Sequence, residues 1–252
     1  MMSEEELKEF LDFKAEQYES PDFLKDDPIQ LPHLFSKKED IEIVGYLVAS
    51  IAWGNRKSII TSGKRLIELM EHEPHQFILD YKSGSVQKFV HRTFNDIDLD
   101  FFFRALQSIY LNHKGLEGVF GSTSIEAQLK ARIIHFRSIM LETIHENRSE
   151  KHISNPLQGS AAKRLVMYLR WMVRSSKKGV DFGLWKSIEP AELFIPLDVH
   201  TGNIARKLGL LERKMNDWQA NIELKSRLIN FEPVDPAKYD FALFGLGAYE
   251  SF

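Results

Sequence analysis

The sequence predicts an all-α fold of eight or more helices joined by short links. Three observations carry that prediction. Apolar residues recur at i, i+3, i+4 and i+7 along most of the chain, the spacing of one helix face. No stretch alternates with a period of two firmly enough to read as a strand. Neither a GxxxxGK(S/T) nor a GxGxxG pattern occurs, so the phosphate loops of nucleotide-binding α/β folds are not signalled. There is also no internal repeat and no low-complexity tract.

Residues 3–18 read as an amphipathic helix with Leu7, Phe10, Leu11 and Tyr18 near one stripe. Ser20-Pro21-Asp22 breaks it, and residues 21–40 read as an irregular connector. Asp40 is placed to cap a helix from Ile41 to Ala52 that is apolar on nearly all sides, and so central and buried. That helix ends near Trp53-Gly54-Asn55-Arg56-Lys57, where Gly54 permits a turn and the polar residues form an exposed tip. A helix over 58–71 follows, then one over 75–90 interrupted around Ser83-Gly84. The helix over 99–112 is aromatic, and Phe101, Phe102, Phe103 and Tyr110 read as core. Residues 115–124 read as a glycine- and serine-rich loop. Residues 124–147 read as one long helix carrying Ile125, Leu129, Ile133, Phe136 and Met140.

Composition bounds the function. The 252 residues are enough for a sizeable core, and the 43% apolar content is ordinary for a globular protein. No apolar run approaches the roughly 20 residues of a membrane span. The acidic start, Met1-Met2-Ser3-Glu4-Glu5-Glu6, has no apolar stretch of the secretory kind. There are no cysteines, which excludes disulfides, thiolate zinc sites, iron–sulfur clusters and cysteine nucleophiles. A cytoplasmic protein is the expectation. The nine histidines are scattered and no His/Asp/Glu set stands at ligand spacing, so neither a metal nor a cofactor is expected. Net charge is −3, yet it is uneven: residues 1–50 hold 13 acidic and 5 basic side chains, whereas 148–186 hold nine Lys/Arg and two acids. A local basic surface can hold phosphates whatever the global sum, and a solvated helix face is the other reading.

The chain is organised around residues 155–211. Gly159-Ser160-Ala161-Ala162 is a compact run of small residues ahead of a helix pattern over 161–176. Such a turn exposes N–H groups that can hold a phosphate. Leu165, Val166, Leu169, Met172 and Val173 form the apolar stripe of that helix; Lys163, Met167, Arg170 and Arg174 form a different face. Neighbouring cations and partial burial favour the neutral form of an amine, and a neutral amine is a nucleophile. Phe194-Ile195-Pro196-Leu197 leads to Asp198 at an N-cap position, followed by Val199, Ile204, Ala205, Leu208 and Leu211 at helical spacing. Arg206, Lys207, Arg213 and Lys214 add positive charge beyond it.

These residues carry a resemblance. Gly159-Ser160-Ala161-Ala162-Lys163 resembles the G-x-G-x-K turn of the helix-hairpin-helix (HhH-GPD) DNA glycosylases, the superfamily of endonuclease III and the 8-oxoguanine glycosylases. The run from Pro196 to Leu210 resembles that superfamily's V-D-T-H-x-x-R-V-x-x-R-L-G-L stretch. The Lys163-to-Asp198 interval of 35 residues is closer to the archaeal 8-oxoguanine DNA glycosylase branch than to endonuclease III. Lys163-Arg164-Leu165, Arg170-Trp171-Met172-Val173-Arg174 and residues 179–185 most resemble an uncharacterised bacterial family, a domain of unknown function related to the superfamily, over most of the chain. Residues 46–56 resemble the early helix and loop that end at the damaged-base site, and 239–247 a late helix. Two departures stand out. Ala161 replaces the second hairpin glycine and is expected to crowd the backbone against a phosphate. The absence of Cys removes the iron–sulfur cluster of endonuclease III.

The resemblance implies a helix-hairpin-helix DNA glycosylase-like fold within one unit, 1–252, of two helical lobes with a cleft between them. Lobe A would be about 41–174, including the hairpin, and lobe B about 1–40 plus 190–252. It implies a monomeric base-excision-repair glycosylase and AP lyase acting on an oxidised purine such as 8-oxoguanine in damaged double-stranded DNA. Lys163 would form a Schiff base with Asp198 assisting. Gly159, Ser160, Ala161, Arg164, Arg170, Arg174, His200, Asn55 and Arg56 would contact DNA, and Trp53 would stack on the flipped base. Two other readings remain open: a non-catalytic helix-hairpin-helix DNA-binding protein, and a helical interaction protein with no nucleic-acid role, which the acidic first 50 residues suit. Loss of borohydride trapping in Lys163→Ala separates the first two, and salt-sensitive DNA binding counts against the third.

Overall fold

A computed structural model describes residues 2–86, 88–122, 128–250 and 252 of the chain. These residues are predominantly helical. The α-helices in chain order are α1 (Glu4–Tyr18), α2 (Lys38–Ser50), α3 (Arg56–Leu69), α4 (Pro74–Leu79), α5 (Asp96–Asn112), α6 (Gly115–Gly121), α7 (Leu129–Leu141), α8 (Lys163–Val173), α9 (Val199–Lys207), α10 (Trp218–Phe231) and α11 (Tyr239–Tyr249). One antiparallel pair, β1 (Val90–His91) with β2 (Phe94–Asn95), is too short to show a period of two. No described helix is long and apolar enough to cross a membrane.

The chain separates into two compact units, Lys25–Asn155 on one side and Met1–Leu24 with Pro156–Phe252 on the other. The helix carrying Lys163 therefore belongs with the helix carrying Asp198. The expected lobes had grouped it with residues from 41 onward.

In the Lys25–Asn155 unit, α2 is the central helix, and every residue from Ile41 to Ser50 is buried. Helices α3 and α4 pack on it, and α5, α6 and α7 pack on one another. Asp40 does not cap α2, which starts at Lys38; its carboxylate accepts from the His75 N–H at 2.8 Å instead and helps to start α4. Asn55 caps α3, accepting from the Ser58 N–H at 3.3 Å, so that helix begins two residues before the expected 58. The helix expected over 75–90 stops at Leu79. Asp100 claims the following backbone, accepting from Tyr81 Oη and from the Gly84 N–H, both at 2.6 Å. An Asn95–Asp98 capping box starts α5 three residues earlier than expected.

The segment read as a loop from 115 is helical through Gly121. Leu116, Val119 and Phe120, at i, i+3 and i+4, are all buried, and that stripe outweighs the glycine content. The expected 124–147 helix is shorter, Leu129–Leu141; Ser124 and Ile125 lie outside the described residues.

In the other unit, α1 starts from a capping box of Ser3 and Glu6 and lies along α11, which in turn packs on α9. The two helices pack tightly at Gly245, where a Cβ would lie 2.1 Å from Tyr18 Cδ2. The core gathers Leu11, Ala161, Leu197, Ala205, Leu224, Leu228, Leu243 and Leu246. Helix α8 is shorter than the expected 161–176. Ala162, left-handed at φ 50°, precedes it, and Arg174, extended at ψ 149°, ends it.

Candidate functional site

Lys163 is the first residue of α8, and Asp198 is the N-cap of α9. The two helix starts meet side chain to side chain, with Lys163 Nζ donating to Asp198 Oδ2 at 2.8 Å. Asp198 Oδ1 accepts from the Thr201 N–H at 2.9 Å, so one carboxylate caps its own helix and holds the lysine. The lysine side chain keeps 37% of its surface exposed and the aspartate 24%, so the pair is open to a reactant on one side. Burial pushes the Asp198 carboxyl up. The charge and hydrogen bond of Lys163, the Thr201 N–H and the charge of His200 outweigh that, and Asp198 titrates below the usual aspartate range.

The turn before Lys163 is built from two left-handed residues, Gly159 at φ 85° and Ala162 at φ 50°. Gly159 is exposed, with open space where a Cβ would stand. Ala161 does not crowd that surface: its side chain is buried in the core of the unit. The strained residue is Ala162, since a left-handed backbone costs a residue with a Cβ about 1 kcal/mol. Ser160 Oγ accepts from the Ala162 N–H at 3.1 Å and tightens the turn.

The start of α10 holds this turn from behind. The Trp218 N–H donates to Gly159 O at 3.0 Å, and Asn221 Nδ2 donates to Ala161 O at 3.0 Å. Just ahead, Asn216 Nδ2 donates to the backbone oxygen of Asp198 at 2.8 Å, and Asn216 Oδ1 accepts from Arg206 Nη2 at 2.6 Å. None of Asn216, Trp218 and Asn221 was legible as a site residue. The available signal was Asn216-Asp217 ahead of an apolar periodic run, and Asp217 does cap α10.

Arg170 and Arg174 share the Lys163 face in sequence but turn inward, each 3% exposed. Arg170 pairs with Asp240 and has Nε 3.3 Å from Asp181. Arg174 pairs with Glu19 at 2.8 Å, Asp181 at 2.7 Å and Asp235 at 2.8 Å. Their expected role as phosphate contacts is therefore corrected: both are spent on buried carboxylates. Asp240 lies within the electrostatic reach of Asp198 and Lys163. Burial pushes its carboxyl up, Arg170 opposes that, Asp198 adds to it, and the result is about 6.

Two of the cations beyond Asp198, Arg206 and Arg213, are also engaged. Arg206 donates to the backbone oxygens of Arg213 and Lys214, and Arg213 pairs with Asp217. Arg164 is half-exposed beside Lys163, and His200 is exposed on the first turn of α9. Along α9 beside His200 runs a cleft of about 400 Å³ between Asn203, Lys207 and Phe252.

Trp53, Asn55 and Arg56 belong to the other unit. Asn55 is exposed but spends its carbonyl on capping α3, and Arg56 is half-exposed. Trp53 is half-buried. Its ring stacks on His152 at 5.8 Å and meets the edge of His91 at 5.2 Å. His152 is backed by Asp98 at 3.3 Å.

Fold and site thus define a helical protein with a half-exposed lysine–carboxylate pair where two helix starts meet. The chain belongs to the family described as Protein of unknown function (DUF2400), whose model matches residues 27–249. Comparison with curated proteins and with solved structures finds no match.

Proposed function

We propose that the protein is a DNA glycosylase with AP-lyase activity, working through a Schiff base on Lys163. The observation that carries the reading is the 2.8 Å contact between Lys163 Nζ and Asp198 Oδ2 at the mouths of two helices. The resemblance of both stretches to the helix-hairpin-helix glycosylases supports it. An oxidised purine such as 8-oxoguanine is the substrate class that this resemblance brings.

The ammonium of Lys163 passes a proton by way of the Asp198 carboxylate to solvent, freeing the amine lone pair. The amine attacks C1′ of a nucleotide flipped out of the duplex. The C1′–N glycosidic bond breaks, and its electrons leave with the base, which takes up a proton. One proton of the attacking nitrogen passes to O4′ as the C1′–O4′ bond breaks and the sugar ring opens, leaving a protonated imine between Nζ and C1′. Loss of a C2′ proton then expels the 3′ phosphate oxygen and nicks the strand, and water releases the enzyme. The Asp198 carboxylate also faces the positive charge that develops on the sugar. The Gly159 N–H already donates to Pro156 O at 3.2 Å, so half-exposed Arg164 and exposed His200 are the groups offered to the DNA backbone.

The test is borohydride trapping on a duplex containing 8-oxoguanine and on one containing an abasic site. The reading expects a covalent adduct with both, abolished in Lys163→Ala. An adduct with the abasic duplex alone keeps the lyase and removes the lesion assignment. No adduct with either, while salt-sensitive binding persists, turns the reading into a non-catalytic DNA-binding protein.

A further inference from the structure

We infer that Asn216 and Asn221 are positioning residues that set Lys163 and Asp198 in register through one short brace at the start of α10. The catalytic consequence rests on the Schiff-base reading; the brace itself rests on geometry alone.

Six residues of chain reach both halves of the pair. Asn216 holds the backbone oxygen of Asp198 at 2.8 Å. The Trp218 N–H and Asn221 Nδ2 hold Gly159 O and Ala161 O, each at 3.0 Å, in the turn that delivers Lys163. An isolated antiparallel bridge between Ser160 and Asp217 completes the seam. Backbone at the two helix starts is thus tied to a common strut rather than only through the Lys163–Asp198 contact.

Three features show that the chain tolerates unfavourable local terms to keep this arrangement. Asn221 is 1% exposed, and among the described residues its Oδ1 has no hydrogen-bond partner, a loss that an apolar side chain of similar size would avoid. Ala162 holds a left-handed backbone that glycine would adopt more easily. Gly202 leaves room for the Asn216 amide: a Cβ there would lie 2.5 Å from Asn216 Oδ1 and 2.9 Å from Arg206 Nη1. Arg206 grips that amide from its other end at 2.6 Å, so the amide group has one orientation. Its Nδ2 faces Asp198.

The mechanical effect follows from what Asp198 must do. Its carboxylate has to cap α9 through one oxygen and reach Lys163 through the other. The cap is local and survives a small shift of the backbone. The contact with Lys163 spans 35 residues and does not. Freeing the backbone oxygen of Asp198 therefore loosens the lysine first.

The test uses the full chain with Asn216→Ala, Gly202→Ala and Asn221→Leu, and with Leu228→Ala in the buried core of the same unit as the control for general loosening. Two readouts are taken: the midpoint of the Asp198 carboxyl by ¹³C NMR, and the pH profile of borohydride trapping on an abasic duplex. The brace predicts that Asn216→Ala and Gly202→Ala raise the Asp198 midpoint by about half a unit or more. It predicts a fall in trapping of roughly tenfold or more in all three brace variants. Leu228→Ala should leave the Asp198 midpoint where it is. An unmoved midpoint in both folded Asn216→Ala and folded Gly202→Ala overturns the brace. A wild-type protein that traps no DNA, with the midpoint still moving in those variants, overturns the lyase reading and leaves the brace standing.

Discussion

Replacing Arg174 by Met separates a structural arginine from a DNA-binding one. The guanidinium is 3% exposed and serves Glu19, Asp181 and Asp235, with distances of 2.7–3.2 Å. It also lies over the Phe241 ring at 5.3 Å. Met fills most of the stem volume, so the loss is chiefly electrostatic. Asp181 and Glu19, exposed by 1% and 8%, are left short of a counterion, although Asp181 keeps Arg170 at 3.3 Å. Removing one side of a buried ion network costs about 3–5 kcal/mol. Denaturant unfolding monitored by far-UV circular dichroism should show a loss of that size. Adding Glu19→Gln and Asp235→Asn should recover part of it, because fewer uncompensated charges stay buried. In conditions where Arg174→Met stays folded, the slope of log affinity for DNA against log salt should match the wild type. A stability loss below about 1 kcal/mol would refute the assignment, since that is the range of an exposed pair.

Two further outcomes follow from the same unit. Asp240, raised to about 6 from 3.8, binds more protons folded than unfolded, so its contribution to stability falls as pH rises through that window. The destabilisation of Asp240→Asn relative to wild type should accordingly shrink between about pH 4 and pH 6 in paired urea titrations, and a gap that widens would contradict it. Gly245→Ala drives a methyl into the Tyr18 ring where α1 crosses α11 and should cost about 1–3 kcal/mol by thermal or denaturant unfolding; a neutral result would mean that α1 is not seated there.

Much of the architecture was legible because its signals are local. The amphipathic stripe of α1, the all-round apolar α2 and the aromatic α5 each announce themselves within a few turns. The misread segments were decided by distant partners or by short stripes. Asp100 takes the backbone after Leu79, and three buried side chains make a helix of the glycine-containing 115–121 run. The site divides in the same way. Lys163 and Asp198 could be named because a turn of small residues and an N-cap aspartate leave marks in sequence. Arg170 and Arg174 could be put on the right helical face, but their carboxylates come from Glu19, Asp181, Asp235 and Asp240, three of them far along the chain, and no periodicity reports such pairings. Asn216 and Asn221 act through backbone oxygens, which carry no residue identity to read.

The central claim is that the Lys163 amine, paired with Asp198, is a nucleophile toward the sugar of damaged DNA. Borohydride trapping on an abasic-site duplex, wild type beside Lys163→Ala, tests it most directly. The account predicts a covalent protein–DNA adduct that maps to Lys163 by peptide mass and vanishes in the variant. An adduct that persists in Lys163→Ala, or no adduct from folded wild-type protein that binds the duplex, would contradict it.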